Sequence, residues 1–285
     1  MNAITSIEER LHKAISLSSD AAEINTAYDT FKSLEEELKK EDITNSDVLN
    51  LLSVLYSNMA YVNRQQSKRK DALELLSKAR YYAKDNFSVA RCFEELGLVY
   101  RLLEPKESDS AVVVLIEAID RYSCSDNKEA EARKARVHGI LGNVYLERNI
   151  NDDLDLAMVH LQKDYEYQTI HGTEYGKGNS IHGLLRACNK KHDYQNALDY
   201  AKEVLEIYRR IGFKRGVVNI LIEKAETEIG LGSVDQAKNS IGYALEHIDD
   251  FFKGDLVFRR EQIEKIAKAL NVEKLNLIVQ QLYSN

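Results

Sequence analysis

Ala72-Leu73-Glu74-Leu75-Leu76-Ser77-Lys78-Ala79 places small or apolar residues at positions i, i+4 and i+7, which is one face of an α-helix. The same face is written four more times. Ala111, Leu115 and Ala118 carry it next, followed by Ala157, Leu161 and Asp164, by Ala197, Ala201 and Val204, and by Ala237, Ile241 and Ala244. The leading alanines are spaced by 39, 46, 40 and 40 residues. A period of this length predicts a solenoid, in which stacked helical repeats share one continuous core. Asp164 is the one charged residue in fifteen repeat positions, and it interrupts an otherwise small or apolar set.

Working outward, each alanine falls on the second helix of a predicted pair. The first helix is marked by Leu96-Gly97-Leu98-Val99-Tyr100 and Leu141-Gly142-Asn143-Val144-Tyr145, with Met59-Ala60, Leu184-Leu185 and Lys224-Ala225 in the equivalent places. Glycine inside a helix costs about 1 kcal/mol against alanine, so these glycines imply a second helix packed closely across them. Asp153, Asp193 and Ser233 lie four residues before their alanines and offer helix-start capping chemistry. Gly172-Thr173-Glu174-Tyr175-Gly176 and Gly212-Phe213-Lys214-Arg215-Gly216 mark the junctions between repeats.

These motifs resemble the tetratricopeptide repeat (TPR) family over about residues 45–250. The resemblance lies in the small–Leu–Gly–x–x–Tyr pattern of the first helix and the Ala–x3–Leu–x2–Ala pattern of the second. The family period is about 34 residues, and its repeat-closing proline is missing here. The longer period is similar to that of a long-helix subgroup with kinesin light chains, spindle-orientation scaffolds and bacterial Rap-like peptide receptors. The resemblance implies an all-α, right-handed superhelical solenoid of five to six helical hairpins with helical caps. The expected layout is a cap with a degenerate repeat over 1–44, the repeat array over 45–254 and capping helices over 255–285. Ala27, Phe31 and Leu34 mark the degenerate repeat, and Ile263, Ile266, Ala267 and Leu270, then Leu275, Ile278, Val279 and Leu282, mark the final pair.

Composition agrees with a helical protein. Only one proline, Pro105, occurs in 285 residues, so almost nothing interrupts helix. The net charge is −7, and no basic stripe is present, which argues against nucleic-acid binding. Lys68-Arg69-Lys70 is too short for such a patch. Cys92, Cys124 and Cys188 are odd in number and widely spaced, which fits free thiols in a reducing compartment. The first residues lack a basic start with an apolar run, and no stretch approaches the roughly 20 apolar residues of a membrane span. The expectation is a cytoplasmic protein that contacts no membrane.

No GxSxG, HExxH, GxGxxG or phosphate-loop motif occurs, and the seven histidines are scattered, so no enzyme activity, metal or other cofactor is expected. The candidate site is the concave groove that the first helices of a right-handed stack would line. Six residues before the small packing residue, successive repeats carry Val54, Arg91, Arg136, Asn179 and Asn219. One residue after it they carry Tyr61, Leu98, Asn143, Arg186 and Glu226, and three before it Ser57, Glu94, Gly139, His182 and Ile222. Arg91, Arg136, Asn143, Asn179, His182, Arg186 and Asn219 are therefore the expected peptide-binding residues, centred on Arg136, Asn143, Asn179 and Arg186. Arginine forks bind carboxylates, and asparagine amides clamp an extended backbone. The groove would take an extended or acidic peptide segment of a partner protein. A competing reading has the arginines pair with Glu94 or Glu226 of a neighbouring repeat and stitch the stack. The alternative functions are a Rap-like receptor for a secreted peptide, against which no separate output domain is evident, and an assembly subunit that dimerises through its terminal helices.

Overall fold

The computed structural model describes residues 3–20, 22–103, 106–248 and 260–270. Those residues form thirteen helices and no strand: α1 (Ala3–Leu17), α2 (Ile24–Leu38), α3 (Ser46–Gln65), α4 (Arg69–Tyr82), α5 (Asn86–Leu102), α6 (Ser108–Ser123), α7 (Ala130–Arg148), α8 (Asp153–His171), α9 (Glu174–Lys190), α10 (Tyr194–Arg210), α11 (Lys214–Gly230), α12 (Val234–Ile248) and α13 (Arg260–Leu270). The chain divides into two compact units, Met1–Val144 and Tyr145–Asn285, with α7 running across the boundary. α1 and α2 occupy the span read as an N-terminal cap. At the other end α13 carries Ile263, Ile266, Ala267 and Leu270, all buried. Residues 271–285, with Leu275, Ile278, Val279 and Leu282, lie outside the described residues.

The repeated alanines are what hold the hairpins together. Ala72, Ala111, Ala157, Ala197 and Ala237 are fully buried, and so are their apolar partners Leu76, Leu115, Leu161, Ala201 and Ile241. In unit 1 the pairs α1–α2, α3–α4 and α5–α6 pack as hairpins, and in unit 2 α9–α10 and α11–α12 do so. First helices also pack on first helices: α1 on α3 and α3 on α5 in unit 1, α9 on α11 and α11 on α13 in unit 2. No two second helices of a unit meet to that extent among the described residues. The first-helix side is therefore the inner side of each unit.

The turns repeat as faithfully as the helices. Ser67, His192, Gly212 and Gly232 each take positive φ just after a helix, at 61°, 60°, 70° and 73°. The following amide then bonds five residues back: Lys68 N to Asn63 O, Asp193 N to Cys188 O, Phe213 N to Tyr208 O and Ser233 N to Glu228 O, all at 2.8–2.9 Å. This is the Schellman ending of a helix. Two of the positions are glycine, which the sequence signals; Ser67 and His192 hold the same conformation without that mark. Asp193 caps α10 through Asn196 N, as its position predicted. Asp153 behaves differently. It is the first residue of α8, and its carboxylate receives the Ile150 amide and both arms of Arg148, at 3.0 and 2.8 Å. Arg148, by these bonds, holds the Asp153 carboxyl below its ordinary pKa.

Gly97 shows why a mid-helix glycine is kept. A Cβ there would lie 2.5 Å from the side chain of Leu115, which is fully buried on α6. Gly97→Ala should therefore lose stability by about 1 kcal/mol, the overpacking outweighing alanine's better helix propensity. Urea unfolding followed by circular dichroism checks this; a gain would show that Leu115 moves aside freely.

Candidate functional site

On the inner side of unit 1, α3, α5 and α7 bring together Tyr61, Arg64, Arg91, Glu94, Glu95, Arg133 and Arg136. Glu94 is the centre of this group. It is 1% exposed, and its carboxylate receives the Tyr122 hydroxyl at 2.7 Å. The Arg136 Nη1 lies 2.6 Å from Glu94 Oε1, and the Arg133 Nη1 lies 3.5 Å from it. Neither guanidinium N–H is aligned with Oε1 as a hydrogen bond, so that oxygen is compensated by charge rather than by a directed donor. Arg64 Nε donates to Glu95 at 3.1 Å.

Arg136 keeps 46% of its side-chain surface open to water. Burial opposes its charge, but Glu94 and Glu95, with the Tyr122 and Tyr61 hydroxyls, favour it more strongly, and its pKa stays above the ordinary arginine value. Burial and the Glu94 charge likewise raise the Tyr122 hydroxyl. Arg91 is half-buried beside this group and makes no hydrogen bond or ion pair with any described residue. Four arginines thus face two glutamates, an excess of positive charge within a chain of net charge −7.

Each expected peptide-binding residue lies on a first helix, and several already have work there. Arg136 is the stitch to Glu94 that the competing reading described. Asn143 donates its amide to Gly139 O of its own helix at 2.8 Å. In unit 2, Asn179 is exposed, and its carbonyl accepts the hydroxyl of buried Tyr208 at 2.8 Å. Burial pushes that tyrosine's pKa up. His182 is half-buried with Nε2 3.9 Å from Glu223. Arg186 and Asn219 are half-buried on α9 and α11. Asn219, like Arg91, makes no hydrogen bond with a described residue. Glu226, the other proposed stitch, receives Gln262 at 2.7 Å and Lys265 at 2.9 Å from α13.

The offset three residues before the packing position proves a poor lining position. Ser57, Glu94, Gly139 and Ile222 are all buried there, because that side of each first helix turns into its neighbours. Tyr56 is buried and stacks on Tyr82, whereas Tyr81 is exposed. What sequence reasoning missed is the buried polar bonding of unit 2. Thr227 donates to Asn189 Oδ1 at 2.8 Å, and Ser240 donates to Glu228 at 2.7 Å. These residues fall on no repeated offset, and no sequence signal marks them.

Among the described residues no group of three or more His, Cys, Asp and Glu is placed to hold a metal ion. None of their helices is long and apolar enough to cross a membrane. The cysteines are free, with Cys92 and Cys188 buried and Cys124 exposed.

No protein-family model matches the sequence, and no curated protein does. Solved structures do resemble the fold. A Rap protein complexed with competence and sporulation factor aligns at a TM-score of 0.70 and 13% identity, covering 99% of this chain and 75% of that one. A tetratricopeptide repeat protein from Parabacteroides merdae aligns at 0.59 and 14%, covering 99% and 100%. The TPR-like repeats of a putative kinesin light chain from Podosopora anserina align at 0.57 and 16%, covering 70% and 96%. At such identities the likeness carries the architecture and nothing more, and by that measure this chain has the fold of the TPR-like helical-hairpin proteins.

Proposed function

We propose that the chain is a non-enzymatic scaffold that binds an extended peptide segment of a partner protein on its inner, first-helix faces, in the cytoplasm and without nucleic acid or membrane. The observation that carries this reading is the contrast between satisfied and unsatisfied groups. Where Glu94, Glu95, Asn143 and Asn179 are engaged within the fold, Arg91 and Asn219 stand half-buried with no described partner. Neither residue holds a buried polar atom left without a partner, so the polar ends of both reach solvent and are open to a ligand. The arginine excess on unit 1 favours an acidic segment there. Asn219 offers one donor and one acceptor, the pair needed to clamp a peptide amide.

The test is affinity capture from native extract by the wild-type chain and by an Arg91→Gln/Asn219→Ala variant of equal helicity. A partner retained by the wild type and reduced about tenfold by the variant supports the inner-face reading. Equal retention by both removes the site from the first helices. The Rap protein's fold likeness supports a second reading, a receptor for a free oligopeptide. Such a receptor would compact in solution scattering when the peptide is added, whereas a scaffold would keep its dimensions.

A further inference from the structure

We infer that the cleft between α10, α11 and α12, on the opposite side of α11 from Asn219, is a second binding site that takes a short extended peptide pairing an apolar side chain with a carboxylate. The cleft holds about 410 Å³, within the size range of ligand sites. On α11, Leu221, Lys224 and Glu228 line it, at i, i+3 and i+7. Asn219, Glu223 and Glu226 lie about half a helical turn away from that stripe, so one helix presents two separate faces.

The floor is built and satisfied. Leu205 and Leu221 are buried there. Beside them Lys224 bonds Glu228 and donates to Ser240 at 2.9 Å, and Ser240 donates to Glu228 at 2.7 Å. Glu228 is therefore spent inside the fold, and it neutralises Lys224. The rim is the reverse. Glu206, Arg209, Gln236, Asn239 and Tyr243 all line the cleft, and none of their side chains makes a hydrogen bond or ion pair with a described residue. Arg209 lies three residues from Glu206 on α10, a spacing that permits pairing, and yet the two do not pair. Lys202, also on the rim, pairs with exposed Asp199 at 3.1 Å.

The ligand chemistry follows from these groups. Arg209 is the rim cation that no described carboxylate pairs, and its fork matches a carboxylate. Tyr243, 60% exposed, stands as a wall beside the leucine floor and offers apolar contact to a side chain. Gln236 and Asn239 each supply one amide donor and one acceptor, the complement of a peptide bond. A carboxylate on an internal side chain and one at a peptide C-terminus satisfy Arg209 equally.

The experiment uses the full chain and a set of fluorescein-labelled octapeptides in a Gly-Ser background. Each carries one Leu or Phe followed by one Asp, made with free-acid and with amidated ends, and binding is read by anisotropy. Binding weakened about tenfold by Arg209→Gln and by loss of one peptide carboxylate, either through Asn in place of Asp or through amidation of the end, is the expected result. Tyr243→Ala should weaken the same peptides, and Lys238→Gln, a charge-matched change on α12 outside the cleft, should leave them unchanged. Binding kept by the amidated peptides assigns an internal carboxylate, and binding confined to the free acids assigns a C-terminus. Absence of binding throughout the set, or equal binding by wild type and the folded Arg209→Gln variant, overturns the inference.

Discussion

An Arg133→Gln/Arg136→Gln double variant should lose about 4 kcal/mol of stability at neutral pH, and adding Glu94→Gln to it should restore most of that loss. The asymmetry comes from where the charges sit. Glu94 is 1% exposed, whereas Arg133 and Arg136 keep 29% and 46% of their side-chain surfaces open. Removing the arginines strands a buried carboxylate with the Tyr122 hydroxyl as its one remaining hydrogen bond among the described residues, and an uncompensated buried charge costs roughly 3–5 kcal/mol. Removing the glutamate alone frees two arginines that can turn into water, so Glu94→Gln should cost less, about 2 kcal/mol. Urea midpoints of the four proteins, read at constant slope, give the coupling directly. Additive losses would show that the three side chains are not one electrostatic unit. The result also bears on function: Arg136 cannot be mutated to probe binding without disturbing the fold, whereas Arg91 can.

The helical hairpins were legible because burial in a repeat array is written along the chain. Ala72, Ala111, Ala157, Ala197 and Ala237 mark the same interhelical contact each time, and all five are fully buried. The groove was less legible because it depends on which side chains meet across helices. An offset rule placed Glu94 and His182 in one series, but Glu94 sits under Arg136 and Tyr122 while His182 is half-buried near Glu223. The rule also counted Asn179 as an open amide, whereas its carbonyl is held by Tyr208, 29 residues away. Such pairings rest on rotamers and interhelical distances that periodicity does not encode. The same holds for the α10–α12 cleft, whose rim residues share no repeat position.

The one departure from the repeat, Asp164, yields the second large effect: Asp164→Ala should stabilise the protein by about 2 kcal/mol at pH 7.5 and by little at pH 4.5. Asp164 is buried on α8 in the place held by Ala79, Ala118, Val204 and Ala244, and its one hydrogen bond among the described residues comes from Gln168 at 3.2 Å. Burial pushes its carboxyl up to about 6, against an ordinary value of 3.8, with Gln168 offsetting part of the effect. The folded state therefore holds this proton more tightly than the unfolded chain does. That contribution is complete below about pH 4 and disappears as the pH rises through 6; a shift of about two units corresponds to about 3 kcal/mol. Alanine gives back part of this gain through lost packing, which leaves the smaller figure. His160, one turn earlier, works in the opposite direction. Burial, with help from Lys163, depresses it to about 4, so its contribution weakens as the pH falls below its ordinary 6.5. The wild-type profile mixes the two, and the difference between variant and wild type isolates Asp164. A rise of about 5 °C in Tm at pH 7.5 that shrinks toward zero at pH 4.5 is the expected pattern. An equal shift at both pH values would mean that Asp164 acts through its volume rather than its charge.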